Sequence, residues 1–176
     1  MLDILLKRRS IRKYKPTKID RETVQVLLKA ALLSPSSCGF RPWQFVVVDD
    51  SEILSRLAAA KKGAGHLKGA ALAVVILADP NRSDVWVEDA SIAATIFHLT
   101  AESLGLGSCW IQIRERQYSD TETAEQYVRR ILAVPDTLNV ASIISFGYPA
   151  ESKPPYSEED IKSFGKVHRN AYGSEY

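Results

Sequence analysis

Six cations crowd nine residues near the start of this chain: Lys7, Arg8, Arg9, Arg12, Lys13 and Lys15, with Ser10 among them. Guanidinium forks and a hydroxyl on a short fixed segment suit a phosphate monoester, which presents negative charge and several acceptor oxygens. In an extended piece, alternate residues share a side, so Arg8, Ser10 and Arg12 are expected to point together. A second candidate is Pro35-Ser36-Ser37-Cys38-Gly39, whose small residues let backbone and hydroxyl groups approach a planar ligand. The third runs from Gly105 to Gln112, a turn entering a strand, where Gly107 suits tight backbone contact and Trp110 suits packing near a ring system. Each has a plain alternative: a solvated basic face, an ordinary connecting loop, and a helix stop before a core strand.

No arrangement of a nucleophile with a base stands out, so no catalytic side chain is assigned. His66, His98 and His168 lack the spacing of metal ligands, and no metal is expected. His98 falls within an apolar helical stretch and is expected to be a packed or hydrogen-bonded core residue. Cys38 and Cys109, the only cysteines, sit among apolar or small residues and are expected to be buried free thiols.

These segments must be positioned by the elements around them. Leu2 to Lys7 reads as a short helix, and Pro16 closes the basic turn after it. Asp20 is an N-cap for a helix whose apolar positions are Val24, Leu27, Leu28, Ala31 and Leu32, ending near Ser34-Pro35. The loop to Trp43 then feeds a strand over Gln44–Val48. A helix over Ser51–Lys62, a turn over Gly63–Gly69 and an apolar strand over Ala70–Leu77 follow. The longest helix spans Val85–Leu104 and ends at Gly105; Ala90, Ala93, Ala94, Phe97 and Ala101 form one apolar face, and Ile92, Ile96 and Leu99 another. A helix apolar on two faces must be buried twice, either within the core or against a second subunit. A strand over Ser108–Ile113, a helix over Thr121–Leu132 and a strand over Val140–Phe146 complete the body. Ser157 to Asp160 resembles a capping box before a short final helix. Two helices before the first strand, and irregular alternation after it, point to an α+β class.

The 176 residues suit one domain, covering 1–176, and 45% hydrophobic with 25% charged residues is ordinary for a globular chain. Removing the six clustered cations from the 23 basic residues leaves 17 against 21 acidic ones. Such an island suits a small anion, not the broad basic face of a nucleic-acid binder, so no nucleic-acid partner is expected. No apolar run approaches the roughly 20 residues of a membrane span, so no membrane partner is expected. Met1-Leu2-Asp3 opens into a charged amphipathic stretch, unlike a signal peptide, which makes the cytosol the expected compartment.

Taken together, Arg8-Arg-Ser-Ile-Arg12, Ser34-Pro-Ser-Ser to Arg41-Pro-Trp43, Gly105-Leu-Gly-Ser-Cys-Trp110 and Ser145-Phe-Gly-Tyr-Pro149 resemble the FMN-dependent nitroreductase family along nearly the whole chain. The resemblance implies an α+β fold with a mixed central sheet flanked by helices, built as an intertwined homodimer with two shared FMN sites. It implies that Arg8, Arg9, Ser10 and Arg12 hold the phosphate and ribityl end, and that Pro35, Ser36, Ser37 and Gly39 of the other subunit border the ring. Gly39 stands where the family often has asparagine, leaving a backbone contact in place of a side-chain one. Trp110, Ile111 and Gln112 match the strand edge beside the ring, and Lys166 and Arg169 are the two candidates for a C-terminal basic residue on the phosphate. The implied reaction passes hydride from NADH or NADPH to a small electron-poor acceptor, a nitroaromatic, a quinone or a flavin, in a ping-pong cycle. Superfamily dehalogenases and flavin-modifying enzymes look longer, with a lid where this chain has only Asp79 to Val85; a non-catalytic flavin-binding sensor is the other alternative.

Overall fold

The computed structural model describes residues 1–161 and 163–175. Its helices are α1 (Leu2–Lys7), α2 (Arg21–Leu32), α3 (Ser51–Leu57), α4 (Trp86–Ser103), α5 (Ala124–Leu132) and α6 (Glu158–Ile161), and its strands β1 (Trp43–Val48), β2 (Leu72–Ala78), β3 (Gly107–Gln112) and β4 (Asn139–Gly147). The strands form one sheet in the order β1-β2-β4-β3. All three pairings are antiparallel, which corrects the expected mixed sheet; among the described residues the one parallel bridge joins Ser10 to Ser108 at the outer edge of β3.

Every residue of β2 is buried, because both faces of the sheet are covered. A strand with no solvent face has no reason to alternate, which is why its sequence is an unbroken apolar run. On one face Val75, Leu77, Val140 and Ile143 meet Leu54 and Leu57 of α3 and Tyr127 and Val128 of α5. On the other, Val74, Ile76, Ile144 and Phe146 meet Leu27 of α2 and Ala90, Ala94, Phe97 and Ala101 of α4. The alanines let α4 lie close to the sheet, and Phe97 fills the space they leave against Phe45 and Phe146 at 5.1 and 5.9 Å between ring centroids. The second apolar face of α4 is different: Ile92 is 37% exposed, and Ile96 and Leu99 are only half-buried.

α3 stops at Leu57, short of Lys62, because the chain tightens there: Ala59 N–H donates to Arg56 O and Ala60 N–H to Leu57 O. This turns Ala58, Ala60 and Ala64 into the core instead of leaving one face in water. α5 begins at Ala124, three residues later than expected, because Thr123 and Gln126 form a reciprocal capping box.

Candidate functional site

The basic segment is fixed along its length by its backbone. Ile11 N–H donates to Ser108 O at 3.0 Å, which binds the segment to the outer edge of β3. On its other side Ala150 N–H donates to Lys13 O and Lys15 N–H to Tyr148 O. The Glu151 carboxylate accepts from Arg12 N–H at 2.5 Å and Lys13 N–H at 3.2 Å, while Lys153 Nζ donates to Ser10 O. Tyr14 donates from its hydroxyl to Ile11 O at 2.6 Å and meets Ser145 Oγ at 2.8 Å. A solvated charge run would need none of these ties. Glu151 and Lys153 follow β4 as two unremarkable charges, with no local spacing to mark them.

The side chains diverge more than simple alternation predicts. Ser10 lies beside the Cys109 thiol, and Arg12 lies close enough for its charge to bear on Cys109, Tyr14 and His66. Arg8 caps α1, outside the extended run, and its charge bears instead on His98 under the opposite face of β3. Arg9 donates to Pro154 O and lies over the Tyr156 ring, so it serves the segment after β4 instead of standing beside Arg8 and Arg12. Among the described residues neither Arg8 nor Arg12 is in an ion pair, which leaves both guanidinium forks available to an anion.

Because Ser108 turns its carbonyl outward to Ile11, residues of the same parity, Trp110 and Gln112, direct their backbone N–H and C=O toward the same open edge. Their side chains stand on the α4 face. Trp110 Nε1–H donates to Gln112 Oε1 at 3.0 Å, and Gln112 Nε2–H to Arg114 O at 3.0 Å. His98 lies parallel to Trp110 at 6.3 Å and bonds Ser108 Oγ through Nδ1 at 2.7 Å. Burial first, then the nearby Arg8 charge, lowers the His98 pKa to about 4, so the ring is neutral near pH 7. Ile111 departs from the expectation: its side chain is in the opposite core with Ile113, and only Trp110 and Gln112 face the site. Burial pushes the Cys109 thiol up, against the pull of Arg12 and Lys153. Cys38, unlike Cys109, is exposed, correcting the expectation that both are buried.

The serine loop makes a 3-10 turn at Ser37–Gly39 in which Cys38, Gly39 and then Arg41 have φ of 47, 68 and 47°. Gly39 is free of the penalty a side chain meets there, and asparagine tolerates the same region. Ser36 Oγ accepts from Arg41 N–H at 2.9 Å, and Asp89, 2% exposed on α4, accepts from Ser37 N–H at 2.8 Å. Asp89 sits nine residues before His98, about 13 Å along the helix and half a turn away. The serine loop and the Arg8–Trp110 edge therefore meet α4 at positions about 13 Å apart along its axis and on different faces.

Lys166 and Arg169 are exposed in the tail, where Arg169 N–H donates to Ser174 O. Among the described residues no hydrogen bond or ion pair brings either to the basic segment. A groove of about 290 Å³ beside that segment is lined by Lys7, Arg9 and Lys153 and also by the carboxylates Glu102 and Glu151. A larger cleft of about 590 Å³, lined by Lys18, Arg21, Val24 and Asp49, contains none of the candidate residues.

Comparison with known proteins bears on this arrangement. The model of the nitroreductase family matches residues 5–148. A protein of Archaeoglobus fulgidus, provisionally named as a NADH dehydrogenase/NAD(P)H nitroreductase, is 35% identical over 97% of this chain and 98% of its own. The structure of an FMN-dependent nitroreductase from Clostridium difficile R20291 superposes with a TM-score of 0.95 at 50% identity, covering 98% of this chain and all of the other. With a family match over most of its length, and relatives that align from end to end, this chain belongs to the nitroreductase family.

Proposed function

We propose that the chain is an FMN-dependent oxidoreductase that works as a homodimer with two shared sites, taking hydride from NADH or NADPH and delivering it to a nitroaromatic, quinone or flavin-type acceptor. The observation behind this is the basic segment fastened to the edge of β3 beside the outward-facing amides of Trp110 and Gln112. The donor set fits FMN: free guanidinium forks and a lysine for a phosphate, a serine hydroxyl for a ribityl chain, and a sheet edge with unpaired N–H groups for a heterocycle. FMN held there supplies the hydride chemistry, alternating between donor and acceptor.

The chain's own residues bind and orient. Arg8 and Arg12, with Lys153 beside Ser10, attract the phosphate, and Arg9 supports the segment from Pro154. Amides fixed in a strand edge need no reorganisation when negative charge develops beside them, which favours reduction. His98, neutral near pH 7, is held to Ser108 through Nδ1 beneath the strand. Pro35, Ser36, Ser37 and Gly39 of a second copy border the ring. This division of the site is supported by the separation of Asp89 from His98 along α4 and by the half-open face at Ile92, Ile96 and Leu99, which a second copy would cover. Lys166 and Arg169 are exposed on the tail, where a second copy can reach them. No helix among the described residues is long and apolar enough to cross a membrane, and the cytosol is the compartment we assign.

Initial rates of NADH or NADPH oxidation at several fixed concentrations of a nitroaromatic or quinone test the reaction. Parallel double-reciprocal lines are expected; intersecting lines would exclude alternate binding of donor and acceptor, and no turnover with any acceptor would favour a sensor.

A further inference from the structure

The Asp89 carboxylate is almost fully buried and lies outside every motif discussed so far. One oxygen accepts the Ser37 N–H at 2.8 Å, and the other accepts the Ser83 hydroxyl at 2.7 Å. It thus joins two chain segments to the first turn of α4: the serine loop and the short connection from Asp79 to Val85. These segments meet again where Asp79 N–H donates to Pro42 O at 3.0 Å. The loop needs such a restraint, because Cys38 and Arg41 hold left-handed backbone conformations that a non-glycine residue leaves readily unless its surroundings fix it. The Ser36–Arg41 bond closes the loop on itself but does not attach it to the body. A buried carboxylate is costly unless its oxygens are bonded, and here both oxygens accept a hydrogen bond.

We propose that Asp89 is a positioning residue for the flavin site: it holds the serine loop and the Asp79–Val85 connection as one rigid wall, and so sets how that wall borders the isoalloxazine ring of FMN. The inference rests on the flavin reading above for the identity of what the wall borders. Its effect on the loop itself can be tested without flavin.

The test uses the full-length protein and three variants. Asp89→Ala removes both acceptors. Asp89→Asn keeps an oxygen for Ser37 N–H and offers an amide N–H to Ser83 Oγ, so it restores the geometry without the charge. Ser83→Ala removes one bond and is the fallback if Asp89→Ala does not fold. Amide hydrogen exchange at residues 37–41 is measured in flavin-free protein, and the FMN dissociation constant is measured by fluorescence titration. Loss of a charge-assisted bond should speed exchange of the Ser37 amide by tenfold or more, and weaken FMN by about tenfold, in Asp89→Ala. Ser83→Ala should move both quantities the same way but less, and Asp89→Asn should stay within about threefold of the parent in both, a rescue that a general loss of stability would not show. Unchanged exchange and affinity in folded Asp89→Ala, or in Ser83→Ala should the alanine variant not fold, would overturn the proposal. If the parent itself binds no FMN, the flavin reading fails, and the exchange data alone then decide whether Asp89 holds the loop.

Discussion

Gly107 lies directly under Ile11: a Cβ built on Gly107 would stand 2.7 Å from the Ile11 side chain. Only the missing side chain of Gly107 lets Ile11 pack this near to β3, beside the Ile11–Ser108 backbone bond. Gly107→Ala should therefore lift the segment from β3, cost about 1–3 kcal/mol by overpacking, and weaken FMN binding as well. Thermal unfolding and FMN titration check the two effects together.

Arg12 and Arg9 belong to the same basic segment but differ in surroundings. Arg12→Ala should weaken FMN about tenfold or more, with a much smaller effect on riboflavin, because it removes a charged donor to phosphate. Arg9→Ala should matter less for FMN, since that side chain is turned to Pro154 and Tyr156. The ratio of riboflavin to FMN dissociation constants separates the two.

His98 makes stability depend on pH. Its pKa falls from 6.5 in the unfolded chain to about 4 in the folded protein, so between these values the unfolded state holds more protons. Stability is then complete above pH 6.5 and is lost as pH drops toward 4, by at most about 3 kcal/mol. Thermal midpoints from pH 4 to 7 should fall toward acid more steeply in the parent than in His98→Gln.

A site divided between two copies predicts complementation. Arg8→Ala/Arg12→Ala lacks the forks, and Gly39→Val strains the serine loop at a φ of 68°. Each alone should bind FMN poorly, whereas co-expressed mixed dimers should regain one FMN per dimer, because one of their two sites is intact. No regain in isolated mixed dimers would place both elements of the site in a single chain.

Much of the architecture could be read from residue pattern. The apolar run of β2, the long α4 with His98 in its packed face, and the basic turn before Pro16 all have local signals that tertiary structure respects. The misses share a physical cause, which is that they depend on partners distant in sequence. Asp89 reads as an ordinary acid in the first turn of a helix, and only the return of the serine loop across α4 reveals its second role. Glu151 and Lys153 gain meaning from a basic segment some 140 residues earlier in the chain. Ile111 was separable in principle, since it alternates with Trp110 and Gln112, but which parity meets the site depends on the covering helix. Lys166 and Arg169 are exposed in the tail, and among the described residues no hydrogen bond or ion pair ties either to the basic segment.

The most direct measurement is the visible absorption spectrum of the purified protein, with its released cofactor identified and the spectrum followed on anaerobic addition of NADH and then NADPH. A bound-flavin spectrum, release of FMN and bleaching by either nucleotide are the expected results. A colourless protein that takes up no added FMN would contradict the account and leave Arg8 to Arg12 as a basic surface fastened to β3 for some other anion.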